Sequence, residues 1–129
     1  MASLPSVVIV DDSPGHLTIY GWLLQKAGLR PVPCLATRSG TEIPKVDGVS
    51  LVVMDYSLRC DKSPAEIAKE LRKQYPWAPI VLLSDLLSVP EDVKPYVEVM
   101  VGKGNPEKLV ATVSSLLAVA ESEHLRISA

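Results

Sequence analysis

Five polar side chains stand at the ends of apolar runs: Asp11 and Asp12 follow residues 7–10, Asp55 follows residues 49–54, Ser84 follows residues 80–83, and Lys103 lies just past residues 97–101. Each run is a short block rich in Val, Ile and Leu, the composition of a strand buried on both faces of a parallel sheet. Parallel strands bring their carboxyl ends to one edge, and that edge is where ligands bind in open α/β sheets. Three carboxylates gathered there repel one another, and partial burial raises their pKa values unless a cation is present. An oxygen-rich cluster that keeps some waters and shares phosphate oxygens suits Mg²⁺. A lysine and a hydroxyl on neighbouring strands add donors for the oxygens of a phosphoryl group. Together the set has what an aspartate needs to act as a nucleophile and carry phosphate as an acyl phosphate. Single acids at strand ends often do no more than cap loops; three of them with a lysine at one edge point instead to a phosphate and metal site.

The elements that must position these groups can be read from caps and prolines. Ser13-Pro14 supplies an N-cap and an N1 proline for a helix from about residue 14 to about residue 27, which Gly28 ends. Its apolar stripe reads as Ile19, Tyr20, Leu23, Leu24 and Ala27, with His16 near it as a packed or capping residue. Trp22 falls roughly 130° from the centre of that stripe, so it is expected to be exposed and is a candidate partner surface. Pro31 and Pro33 make residues 30–35 an edge strand at best, and residues 37–43 are expected to form a short, weak helix before Pro44.

Ser63-Pro64-Ala65-Glu66 is a capping box opening a helix towards Tyr75, and Trp77, in the proline-rich turn that follows, reads as a cap on the core. Pro90 and Pro95 shorten a fourth helix to one or two turns. Asn105-Pro106 caps the last helix, whose buried stripe reads as Leu109, Val113, Leu116, Leu117 and Ala120, with the small residues Ala111, Ser115, Ala118 and Ser122 on the opposite side. Strands alternating with helices predict an α/β fold, a doubly wound five-stranded parallel sheet with helices on both faces.

Composition sets the outer limits. A chain of 129 residues fits one domain, residues 1–129 with a core of about 5–120, and 47% hydrophobic with 22% charged residues is ordinary for a globular protein. A net charge of −2 lacks the basic excess of a nucleic-acid-binding domain, so direct nucleic-acid binding is not expected. Apolar runs fall far short of the roughly 20 residues that span a bilayer. Cys34 and Cys60 have no metal-ligand spacing and no signal-peptide pattern precedes them, which reads as a cytoplasmic, reduced chain.

Val-Asp11-Asp12-Ser, Val-Val-Met-Asp55-Tyr-Ser, Ile-Val-Leu-Leu-Ser84 and Val-Gly-Lys103 also resemble, in order and near spacing, the receiver domains of two-component response regulators. The resemblance runs from Val7 to about Leu117 and implies a flavodoxin-like fold. It implies Asp55 as the phosphoacceptor and Mg²⁺ as cofactor, held directly by Asp12 and Asp55, through water by Asp11, and by the backbone carbonyl of Ser57. Ser84 would be the switch hydroxyl and Lys103 the partner of phosphate oxygens, in a protein that is not itself an enzyme. A sensor histidine kinase or a histidine phosphotransfer protein would donate the phosphate, and an unidentified downstream protein, or a second copy in a homodimer, would read the switched surface.

The chain also departs from the pattern. Asp85 follows the switch hydroxyl where the family carries a small residue, and with Leu86 it is a candidate modulator of access to the site. Met100 stands where the family has Tyr or Phe, and Gly104 replaces the proline after the lysine. Two other readings therefore stand beside the first: a degenerate receiver that binds partners without phosphorylation, and a phosphatase of the haloacid dehalogenase type. The second of these wants an acid two residues after the nucleophile, where this chain has Ser57.

Overall fold

The computed structural model describes residues 4–128, with side chains described through residue 120. The elements are β1 (Ser6–Asp11), α1 (Pro14–Lys26), β2 (Arg30–Thr37), β3 (Gly40–Thr41), β4 (Val49–Asp55), α2 (Pro64–Gln74), β5 (Ile80–Leu83), β6 (Val99–Val101) and α3 (Pro106–Ser128). They form one sheet in the order β3-β2-β1-β4-β5-β6, parallel throughout except for the antiparallel β2–β3 pair. The five parallel strands are those the sequence predicts. Their order has the flavodoxin-like reversal, with the switch point between β1 and β4.

Alternate residues of each strand feed two cores, as the period of two requires. On one face Val7, Ile9, Leu51, Val53 and Val81 pack with Leu17 and Leu24 of α1 and with Leu109 and Val113 of α3. On the other, Val8, Val10, Val52, Met54 and Leu82 pack with Ile67, Ala68 and Leu71 of α2. Burial on both sides explains why the strand runs are continuously apolar. Among the described residues no helix is long and apolar enough to cross a membrane.

Four local expectations are corrected. Residues 37–43 form no helix: the chain turns at Arg38 and Ser39 and returns as β3, with Gly40 at φ 138°, a conformation few other residues adopt. The stripe of α1 is centred on Leu17 and Leu24, while Ile19 is 56% exposed and Ala27 is also exposed, so the helix is turned further round than its apolar residues imply. Trp77 is 78% exposed, because Tyr75 and Ala78 fill the core at that turn instead. Ala120 is exposed near the far end of α3, and Ser122 lies outside the residues whose side chains are described.

The fourth helix, expected to be short, is reduced to a rolled turn at Pro90, where Val93 and Lys94 N–H groups both reach the Pro90 carbonyl at 3.2 and 3.1 Å. Val89, Val93, Tyr96 and Val97 close the core there without a helix. Arg72, near the end of α2, clips this segment down. Its guanidinium donates to the carbonyls of Pro76 (3.3 Å), Ala78 (2.9 Å) and Tyr96 (2.7 Å) and lies 3.6 Å from Glu98. Tyr56 adds a second tie, its hydroxyl meeting Asp92 Oδ1 at 3.1 Å.

Candidate functional site

Register brings the polar groups together. Val10 pairs with Met54 across β1 and β4, and Leu83 pairs with both Asp55 and Val101 across β4, β5 and β6, so four strand ends finish at one level. Asp11 and Asp55 are the last residues of their strands and are buried, 1% and 3% exposed. Each is anchored by the second N–H of its own exit loop: Ser13 N–H donates to Asp11 Oδ1 at 2.9 Å, and Ser57 N–H to Asp55 Oδ1 at 2.8 Å.

Lys103 reaches back from beyond β6, and its Nζ lies 2.8 Å from Asp55 Oδ1 in a partly buried, charge-assisted contact. Burial by itself would lower the lysine's pKa. The hydrogen bond and charge of Asp55, with Asp85 and Asp11 nearby, outweigh burial and raise it. Asp11 has no such partner. Burial, opposed by the Ser13 N–H and reinforced by the charge of Asp55 and a side-chain hydrogen bond with it, pushes its carboxyl up to about 6, and its buried Oδ2 meets no donor among the described residues. A buried acceptor left without a donor is costly, and a cation would satisfy it. On that observation the oxygen donors of Asp11 and Asp55 fit a divalent cation.

Asp12 is the sequence-derived ligand that stands apart. Its Oδ2 accepts from the Arg59 N–H at 3.2 Å and lies 3.9 Å from Arg59 Nε, so the carboxylate is turned towards the β4–α2 loop. The third donor at the cluster is a residue the sequence reading left as packing. His16 Nδ1 lies 3.5 Å from Asp11 Oδ1, and one ligand atom each from Asp11, His16 and Asp55 fall within 4.8 Å of one another. The signal was present in the sequence. His16 occupies the N3 position after the Ser13 cap, its N–H on Ser13 Oγ at 3.2 Å, and helical side chains lean towards the N-terminus, here towards the end of β1.

Ser84 is buried at the end of β5, with its Oγ accepting the Leu86 N–H at 3.1 Å. Asp85 is exposed, and its Oδ1 accepts from the backbone N–H of Lys103 at 3.1 Å. Leu86 is 52% exposed, Leu87 beside it fully so, and Ser57 is exposed at the other side of the cleft. Met100 is partly buried against the α2-side core. Trp22 is 58% exposed, as its position predicts, on the flank of α1 that faces β2, with Lys26 Nζ 4.2 Å above its ring.

Neither protein-family models nor curated proteins give a match to this chain. Solved structures do. A CheY-like response regulator receiver domain protein from Methanospirillum hungatei superposes with TM-score 0.74 at 19% identity, covering 94% of this chain and 99% of that one. The chemotaxis response regulator CheY4 of Vibrio cholerae gives TM-score 0.70 at 21% identity, over 88% of this chain and 98% of that one. The chain has the fold of a response-regulator receiver domain. A BeF3-activated receiver domain of DrrB, from Thermotoga maritima, agrees at TM-score 0.68 and 25% identity over 89% of this chain and 98% of that one. Within the receiver fold, the carboxyl-edge cluster of Asp11, Asp55, Ser84 and Lys103 occupies the sheet edge at which such folds bind ligands.

Proposed function

We propose that this chain is a phospho-accepting receiver: Asp55 takes a phosphoryl group from a sensor histidine kinase or a histidine phosphotransfer protein, with Mg²⁺, in the cytoplasm, and presents a changed surface to a downstream protein. The observation that carries the reading is the 2.8 Å contact of Lys103 Nζ with buried Asp55, set beside the unpartnered buried oxygen of Asp11. Asp11 and Asp55 would hold the cation, Asp12 would join them on leaving Arg59, and the Ser57 carbonyl is a further candidate ligand. Bound there, the cation would neutralise charge on the incoming phosphoryl oxygens.

Both donors to Asp55 sit on Oδ1, so Oδ2 is the oxygen assigned to attack. Its bond to phosphorus forms as the phosphorus–nitrogen bond of the donor's phosphohistidine breaks, and the leaving imidazole takes up a proton. Once Asp55 becomes an acyl phosphate it loses its own carboxylate charge, and the Lys103 ammonium follows the negative charge to a phosphoryl oxygen. Ser84 is set up for the same shift. Its Oγ already accepts from Leu86, which leaves the hydroxyl proton to donate to phosphate. Asp85 and Leu86 flank the approach, and Asp85 is the residue against which an anionic donor must pass.

The role is that of a switch and not of a turnover enzyme. Incubation with Mg²⁺ and acetyl phosphate is expected to add the mass of one phosphoryl group to the intact protein and none to the Asp55→Asn variant. Equal modification of both proteins would contradict the reading. The hold of Arg59 on Asp12 and the loss of the fourth helix favour a second reading, a phosphorylation-independent binding module, which the same experiment supports if neither protein is modified.

A further inference from the structure

We infer that the cation site is a mixed oxygen–nitrogen site, in which His16 joins Asp11 and Asp55 as a direct ligand and gives preference to an imidazole-binding divalent cation of the Ni²⁺ or Zn²⁺ class over Mg²⁺. The inference rests on the reading of the acid cluster as a cation site, and it concerns which cation that site selects.

Three observations carry it. Donor atoms of Asp11, His16 and Asp55 lie within 4.8 Å of one another, while ligands about 2.0–2.2 Å from a shared ion lie no more than about 4.4 Å apart, so a small closure completes the set. Asp11 is 1% exposed and its Oδ2 meets no donor among the described residues, so a buried acceptor there is free to take a cation. Asp12, the acid next to Asp11, is turned onto Arg59, and the third ligand atom gathered with Asp11 and Asp55 is a nitrogen of His16.

The contact of His16 with Asp11 is looser than a hydrogen bond. Nδ1 and Asp11 Oδ1 are 3.5 Å apart, within ion-pair reach but longer than the 2.7–3.2 Å of N–H···O bonds, so no hydrogen bond ties the imidazole to Asp11. The histidine is positioned by its backbone on the Ser13 cap and by the Tyr20 ring at 6.0 Å, and its side chain is 53% exposed, open to solvent on the side away from Asp11. Carboxylate and carbonyl sets suit Mg²⁺, whereas imidazole draws the site towards later first-row ions.

The test is calorimetric titration of the full, tag-free chain with Ni²⁺ and, separately, Mg²⁺, on the wild type and on His16→Gln and Asp55→Asn variants. Later ions bind most sites better than Mg²⁺, so the dependence on His16 is the discriminating quantity. Replacing His16 is expected to weaken Ni²⁺ by about tenfold or more and to leave Mg²⁺ within about twofold. Electron spin-echo modulation of bound Mn²⁺ should show a nitrogen coupling that is lost in His16→Gln; His124 is retained in both proteins, so the loss belongs to this site. Mg²⁺ and Ni²⁺ binding that both need Asp55 but ignore His16, with no nitrogen coupling, would overturn the inference and leave the proposed function standing. Binding of neither ion in an Asp55-dependent way would overturn both.

Discussion

Asp85 Oδ1 accepts the backbone N–H of Lys103 at 3.1 Å, joining the exit of β5 to the exit of β6. The acid is therefore neither a free turn residue nor a side-chain partner of the lysine ammonium, which Asp55 holds. Asp85 fixes the backbone from which Lys103 reaches the site. Replacing it with Ala is expected to cost about 1 kcal/mol of stability, the value of one exposed hydrogen bond, and to speed amide exchange at Lys103. Denaturant titration and hydrogen exchange read the two effects, and an unchanged Lys103 exchange rate would count against the anchoring role.

The loop that carries Lys103 also depends on its glycines unequally. Gly104 stands at φ 79°, whereas Gly102 is not in the left-handed region, and a Cβ added to either meets no atom within 4 Å. Gly104→Ala should therefore lose about 1–2 kcal/mol through backbone conformation alone, and Gly102→Ala much less. Equal losses in denaturant midpoint would refute the assignment.

Arg72 takes over part of the work of the missing fourth helix by holding three carbonyls and Glu98. Arg72→Ala is expected to destabilise by about 2 kcal/mol, since the part-buried carbonyls of Ala78 and Tyr96 lose a charged donor. Lys94→Ala, which breaks the exposed pair with Glu91, should change stability by less than about 0.5 kcal/mol. Urea unfolding of the two variants side by side tests the contrast.

In metal-free buffer Asp11 makes stability depend on pH. Burial, with the Asp55 charge, raises its carboxyl from 3.8 to about 6, so between those values the folded chain keeps a proton that the unfolded chain has released. Stability from this group is full below pH 4 and is lost as pH rises through about 6, by an amount on the order of 2 kcal/mol. Unfolding midpoints across that range should fall in chelator and flatten in Asp11→Asn.

What could be read from the sequence follows from where the physics is local. Residues 7–10, 49–54 and 80–83 are apolar on both faces, so their strands and the acids that end them were legible without a structure. Ser13-Pro14 and Ser63-Pro64 fixed two helix starts for the same reason, each serine oxygen accepting the N–H three residues on. The β2–β3 hairpin was not legible, because Thr37, Thr41 and Ile43 fit either state weakly and the partner strand decides between them. The orientation of Asp12 depends on Arg59, 47 residues away, and no local pattern encodes that contact. His16 lay between the two cases: its N3 position was readable, but its company with Asp55 needed the β1–β4 register.

The central claim, that Asp55 anchors a working phospho-switch, is tested most directly by NMR titration with Mg²⁺ and then beryllofluoride, in parallel on Asp55→Asn. The account predicts saturable shifts centred on Asp11, Asp12, Asp55, Ser84 and Lys103 that vanish in the variant, spreading through Tyr56 and Asp92 into the rolled segment that replaces the fourth helix. Unchanged spectra in both proteins, or the same shifts in both, would contradict it.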